Sequence, residues 1–173
     1  MRSSSNLATF LVLANVLLQI PAVGADNSAD CRSWRWVNPL PAAHLLTGVA
    51  VGPQQIVAVG DRGTILASPA GVSWTAANSG VAADLSSVTW TGDAFVAVGD
   101  AGTILRSEDG LVWSAVDSGI DEDLSVVAHG NGTTVALGSA STLYSTTDGE
   151  VWNAHDPGEP TLEDLIWAGT RFV

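Results

Sequence analysis

Lysine is absent from the 173-residue chain, and its six arginines are outnumbered by 18 acidic residues. The formal net charge of −12 argues against nucleic acids and anionic membrane surfaces as partners, because phosphate groups and acidic headgroups repel such a chain. Cysteine occurs only at Cys31, so the chain cannot form an internal disulfide. The composition therefore favours a soluble protein that binds neither nucleic acid nor anionic lipid.

A long apolar run is found only near the N-terminus. Arg2 precedes an apolar run of 14 residues, 7–20, and small residues then stand at the usual cleavage positions of a secretory signal peptide. A bilayer span needs about 20 apolar residues, whereas this run is shorter and includes two amide side chains. We therefore expect a signal peptide over residues 1–25, a secreted or periplasmic location, and no membrane association after cleavage.

A segment that ends in tryptophan occurs three times at a constant spacing. The copies are VAVGDRGTILASPAGVSW, VAVGDAGTILRSEDGLVW and VALGSASTLYSTTDGEVW, which end at Trp74, Trp113 and Trp152. With the residues around it, each copy divides at turn signals into four short runs rich in Val, Thr and Ile, such as DLSSVTWTG, AFVAVGD, GTILRS and LVWSAVDSG. Four strands in about 40 residues form the blade of a β-propeller. The predicted fold is therefore all-β, a propeller of four-stranded antiparallel blades.

The spacing also predicts the boundaries of a propeller domain over residues 26–173. Residues 32–42 align with the outermost strand of a blade, because Trp36 lies one period before Trp74, so we expect them to close another blade. About three and a half blades form an incomplete ring, whereas propellers typically have four to eight blades. We therefore expect the parent gene to encode further blades. The expected blades are 44–80, 82–119 and 121–158, with 161–173 as the start of the next one.

Turn residues recur at fixed positions of each copy and are the candidate structural sites. Glycine supplies a positive φ, and the oxygens of Asp and Ser accept hydrogen bonds from loop amides. The tryptophan that follows the second turn is expected to be buried between blades. The assigned turn residues are Asp61, Gly63, Gly71, Trp74, Asp100, Gly102, Ser107, Asp109, Gly110, Trp113, Asp148, Gly149 and Trp152.

Two motifs of these copies resemble known repeats. SEDGLVW and STTDGEVW resemble the Asp-box, or bacterial neuraminidase repeat, and GDAGTILRSEDG with the preceding AFVAVGD is most similar to repeats of the photosystem II stability and assembly factor family. The resemblance spans about residues 34–173 and implies a β-propeller. It does not select one function, because the same repeat occurs in sialidases, other glycan hydrolases, assembly factors and secreted proteins.

The residues that sialidase-like catalysis requires are not clustered in this sequence. The arginines are scattered, and the sole tyrosine, Tyr144, occupies the repeat position of Arg106 and Ala67, where we expect it to pack. We predict no catalytic residue and no cofactor.

Metal binding is not predicted either. The three histidines, His44, His129 and His155, lack metal-ligand spacing. The acidic loop 121–123 is interpreted as a solvated charge run, because a calcium site needs six or more converging oxygens.

Two functions remain open. The preferred one is an exported, non-catalytic propeller that acts as a binding or assembly scaffold for a protein or glycan partner. Its variable loops, such as 82–84 and 120–123, would make the contacts, because loops on a rigid scaffold can vary without cost to the core. The alternative is a non-catalytic fragment of a sialidase-like glycoside hydrolase.

Overall fold

Three four-stranded antiparallel sheets occupy most of the described part of the chain. The computed structural model describes residues 44–156, 158 and 162–173. The sheets are named here blade 1 (β1–β4), blade 2 (β5–β8) and blade 3 (β9–β12), and in each one the strands follow in chain order. The strands are β1 Leu46–Val51, β2 Ile56–Gly60, β3 Thr64–Ser68, β4 Thr75–Ala77, β5 Leu85–Trp90, β6 Phe95–Gly99, β7 Ile104–Ser107, β8 Ser114–Ala115, β9 Leu124–Gly130, β10 Thr133–Gly138, β11 Leu143–Thr146 and β12 Asn153–His155.

The three blades repeat even the irregularities of strand pairing. The register between the first and second strands shifts near the start of the first strand in every blade, between Leu46 and Gly48 in blade 1 and between Leu85 and Ser87 in blade 2. In blade 3 the shift lies between Leu137 and Gly138 on the partner strand. A bulge at the same position increases the local twist in each sheet. The predicted all-β propeller architecture, as an incomplete ring, is confirmed.

The core lies between neighbouring blades. The second strand of each blade is buried almost throughout, and Ala97 and Ala136 at its centre are fully inaccessible. An unbroken buried run fits a strand that is covered on both faces, because each sheet packs against a neighbour on either side. Small alanines keep the sheets close. The first strands of successive blades, β1, β5 and β9, also pack side by side.

The repeated tryptophans pack toward the preceding blade. Trp113 of blade 2 is buried in a cluster with Val57 and Val59 of blade 1, and Trp152 of blade 3 is buried in a cluster with Val96 of blade 2. Trp74 of blade 1 is only half-buried, so its packing is less complete than that of the other two tryptophans. Blade 1 is the first of the described blades, and among the described residues no sheet precedes it to cover Trp74 as blade 1 covers Trp113.

The last described segment begins to continue the pattern beyond blade 3. Trp167 pairs with Phe172 in an antiparallel bridge, and their ring centroids lie 4.9 Å apart. Leu165 is buried against Ala128 and Val135 of blade 3. The signal peptide predicted over residues 1–25, Cys31 and the closing strand predicted over 32–42 lie outside the described residues. In the described ranges, no helix has the length and apolar character that crossing a bilayer requires.

Candidate functional site

Loops from all three blades meet at one end of the sheets, which we call the loop face. Antiparallel strands place the turn between the second and third strands at the same end as the connection to the next blade. Backbone hydrogen bonds join these loops, since the amide of Asp100 donates to the carbonyl of Asp84 and that of Gly102 to the carbonyl of Glu122, over 3.0 and 2.8 Å. The loop face comprises residues 60–63, 78–84, 99–103, 116–123 and 138–142.

Two carboxylates of the loop face join one blade to the next. Asp84 at the start of blade 2 accepts a hydrogen bond from the amide of Arg62 in blade 1, and Asp123 accepts one from the amide of Ala101, over 2.7 and 2.8 Å. Arg62 and Ala101 have φ of 55° and 50°, in the left-handed region that non-glycine residues seldom adopt. The two carboxylates therefore stabilise strained turns as structural joints between blades.

Blade 3 satisfies the equivalent turn differently. Trp167 lies 77 residues after Trp90, so the repeat position of Asp84 and Asp123 is Thr161, which has no carboxylate. Glu122 replaces it, accepting hydrogen bonds from the amide of Ala140 over 2.8 Å and from the hydroxyl of Tyr144 over 2.6 Å.

The hydrogen bond between Glu122 and Tyr144 affects whether Tyr144 could act as a catalytic nucleophile. The donated hydroxyl of Tyr144, and then the amide of Ala140, lower the pKa of Glu122, while the hydrogen bond to Glu122 raises the pKa of Tyr144. A phenol with a raised pKa is a poorer nucleophile, because its ionised form is disfavoured. Tyr144 also packs against the cluster between blades 2 and 3, so its place is that of a structural residue.

A groove of about 270 Å³ opens on the loop face of blade 2. Its apolar wall includes the buried Ile104 and the half-buried Val81, Val116 and Ile120. Gly102 lies under the connection that forms the other wall, where a β-carbon would stand only 1.7 Å from the carbonyl oxygen of Ile120. Glycine is therefore required there. The groove is lined by Val81, residues 101–104 and residues 115–121.

Carboxylates without a partner surround this groove. The exposed side chains of Asp117 and Asp121 lie on its rim, and neither accepts a hydrogen bond or ion pair from a described residue. Asp100 is next to the groove, and its pKa is raised by loss of hydration and by the charges of Asp123, Asp84 and Asp61. The five segments of the loop face hold seven acidic residues and one arginine, so its potential is negative.

The opposite end of the sheets carries most of the predicted turn residues. In blade 2 one oxygen of Asp109 accepts hydrogen bonds from the amides of Leu111 and Val112 over 2.8 and 2.9 Å. The Ser107 hydroxyl accepts a hydrogen bond from the amide of Gly110 over 2.8 Å. The amides of Val112 and then Leu111 lower the pKa of Asp109. The carboxylate of Asp109 therefore stabilises the turn in which it lies.

The same turn recurs in the other two blades. In blade 3, Asp148 accepts the amides of Glu150 and Val151 over 2.9 and 3.0 Å, and these bonds lower its pKa. In blade 1, Ala70 replaces the aspartate, but the Ser68 hydroxyl still accepts the amide of Gly71 over 2.8 Å. The remaining predicted residues Asp61, Gly63, Asp100 and Gly102 lie in the tight turns of the loop face. The glycines Gly63, Gly71, Gly102, Gly110 and Gly149 all have φ between 66° and 78°.

Two of the three histidines and Arg106 have partners of their own. His129 lies 2.9 Å from the hydroxyl of Thr134, and His155 lies 2.7 Å from that of Ser145. Arg106 pairs with Asp93 and Glu108 over 3.1 and 3.3 Å. Over the described ranges, no three His, Cys, Asp or Glu side chains are placed to hold a metal ion.

Sequence reasoning selected the turn residues but missed the groove and the bonds between blades. Asp84 and Asp123 were predicted as contact residues of variable loops, whereas both carboxylates bond to the preceding blade. Their occurrence at the same position of successive repeats was the available signal for a shared structural role. No sequence pattern indicated the groove, because its walls come from loops whose packing depends on the fold.

The family of the chain follows from its blades and from a family model. Residues 69–165, more than half of the sequence, match the DUF6242 beta propeller domain. The chain belongs to this β-propeller family. No curated protein matches the sequence.

Solved structures of the same fold exist for YCF48. "YCF48 bound to D1 peptide" superposes with a TM-score of 0.58 at 21% identity, covering 66% of this chain and 42% of that one. YCF48 from Cyanidioschyzon merolae superposes with a TM-score of 0.57 at 24% identity, covering 67% of this chain and 38% of that one. This DUF6242-family chain thus spans about two fifths of the length of these proteins. The resemblance to the photosystem II assembly factor repeat family is confirmed for the fold.

Proposed function

We propose that this chain is part of an exported, non-catalytic β-propeller protein whose loop face binds a protein partner. The observation that carries the proposal is the groove of blade 2, which opens among partnerless carboxylates on a scaffold of packed sheets. Loops held by a rigid scaffold are where propellers and other folds place binding residues. YCF48, which shares the fold, has been solved with a bound peptide, and this supports a peptide-like ligand.

A protein is a better candidate than a glycan for the loop face. Sugar rings are commonly held against aromatic side chains, and the five described segments of the loop face contain none. Their chemistry is instead that of aspartates, small residues and short aliphatic side chains, which suits a cationic or amphipathic polypeptide. Export is proposed from the N-terminal sequence, which has the pattern of a signal peptide.

The absence of catalysis is proposed from the partners of the candidate groups. Tyr144 donates to Glu122 with a raised pKa, and Arg106 is engaged by Asp93 and Glu108. The alternative, a fragment of a sialidase-like hydrolase, requires a parent gene whose further blades supply clustered arginines, a tyrosine and carboxylates. Sequencing that gene separates the two, because a binding protein would continue the repeat without them.

The direct test compares peptides with glycans on arrays. The full chain is expected to bind a subset of immobilised peptides in a saturable manner, to bind no glycan more tightly, and to hydrolyse neither sialosides nor simple glycosides. Mass analysis of the form exported by a bacterial host is expected to show cleavage after residue 25. Turnover of any glycoside, or glycan binding without peptide binding, would overturn the proposal.

A further inference from the structure

We propose that the groove of blade 2 binds one arginine or lysine side chain of the partner. The inference rests on the proposed function and specifies the chemistry of its ligand. The groove volume of about 270 Å³ lies just below the range of small-molecule pockets, which begins at about 300 Å³. It therefore suits a single long side chain better than a separate small ligand.

The groove offers different surfaces to the two parts of such a side chain. Ile104, Val116 and Ile120 provide apolar contacts along the wall, while the carboxylates of Asp117 and Asp121 lie at the rim. Arginine and lysine bury an aliphatic stem and keep the charged head in water or near an anion. A purely apolar side chain could not pair with the rim carboxylates, and an acidic side chain would be repelled by them.

The rim carboxylates are distinct from the other acidic groups near strand ends. Asp109 and Asp148 are occupied by backbone amides, and Asp93 and Glu108 by Arg106. Asp117 and Asp121 have no such engagement with described residues. The charges of Asp117 and Asp121 are therefore available to a cation that enters the groove.

Blade 1 supplies an internal comparison at the same repeat positions. Asn78 and Ala82 stand one repeat before Asp117 and Asp121, and Arg62 stands one repeat before Ala101. Blade 1 thus has a cation and no rim carboxylates where blade 2 has two carboxylates and a methyl group. The pair of rim carboxylates is therefore not common to every repeat, because blade 1 lacks both, whereas blade 3 keeps an aspartate, Asp156, one repeat after Asp117.

Arg62 also shows how the groove can be blocked without disturbing the backbone. It has φ of 55°, and Ala101 has φ of 50° in the equivalent turn. The variant Ala101→Arg should therefore fold, place a cation beside Asp117 and Asp121, and occupy part of the groove. Asp121→Asn removes one rim charge, and Glu150→Gln removes one exposed charge at the opposite end of the sheets as the matched control.

The test is a titration of the isotope-labelled full chain, followed by two-dimensional NMR, with a Gly-Ser peptide that carries one central arginine. We expect amide shifts confined to residues 101–104 and 115–121, and none with the same peptide carrying neutral citrulline. Asp121→Asn should weaken binding by about two- to fivefold, the range for one exposed charge pair. Ala101→Arg should abolish it, and Glu150→Gln should leave it unchanged.

Three results would overturn the inference. They are equal shifts with citrulline, equal weakening by Glu150→Gln and Asp121→Asn, and undiminished binding to Ala101→Arg with a native spectrum. Each can occur while the peptide array still shows saturable binding, in which case the proposed function stands and only the cationic groove fails. An array without peptide binding defeats the proposed function itself.

Discussion

The replacement of Trp113 by alanine, compared with that of Trp74, tests whether blade stacking stabilises this chain. Trp113 is buried against blade 1, its ring centroid lies 6.4 Å from that of Phe95, and its Nε1 donates to the carbonyl of Gly110 over 3.1 Å. Trp74 occupies the same repeat position but is half-buried. The two substitutions therefore remove the same side chain from different environments.

The expected magnitudes follow from burial. A buried tryptophan covers about 150 to 250 Å², which at about 25 cal/mol per Å² corresponds to roughly 4 to 6 kcal/mol before entropy. Measured Trp→Ala losses in cores are about 3 to 5 kcal/mol, and we expect this range for Trp113. For Trp74 we expect a smaller loss, because part of its surface already contacts water.

Urea unfolding of the full chain, followed by far-ultraviolet circular dichroism, measures both losses. The slope of free energy against urea should stay unchanged if each substitution alters stability alone. A loss below about 1 kcal/mol for Trp113→Ala, or an equal loss for Trp74→Ala, would refute the assignment of Trp113 as a wedge between blades.

Gly110→Ala should destabilise the chain more than Gly149→Ala in paired urea titrations. Their φ values are 73° and 78°, but only a β-carbon on Gly110 would meet Val57, at 2.7 Å, so equal losses would contradict this. Asp109→Ala should cost about 1 kcal/mol at pH 7, as for a lost capping carboxylate. Because the folded pKa of Asp109 is lowered, its stabilisation is present above the unfolded pKa of about 4 and is lost as pH falls through the folded value, so a pH-independent cost would refute this role. Asp100→Asn should raise the thermal midpoint at pH 7, because the raised pKa of Asp100 means that its charged form destabilises the folded state. This gain in stability should vanish below the unfolded pKa, where the carboxyl is protonated in both states. A lowered midpoint at pH 7 would contradict the prediction.

The strands and their turns could be predicted from the sequence because their determinants are local. The run Phe95–Gly99 has a counterpart of the same apolar character in each of the other repeats, so one interpretation covers all three blades. The hydrogen bonds of Asp109 reach amides only two and three residues away, which is why a short motif predicts them. The Asp-box resemblance of these turns stays a prediction.

The sequence by itself determined the repeat, the four-stranded blade and the positions of the tight turns, since each depends on residues close together in the chain. Only the tertiary structure decided how residues at equivalent repeat positions differ in burial and in hydrogen-bond partners. Trp113 is buried and Trp74 only half-buried, and Asp84 reaches the amide of Arg62 across 22 residues. The physical reason is that stacking brings together loops of neighbouring blades. The groove beside Asp117 and the bond between Glu122 and Tyr144 exist only once the blades have packed.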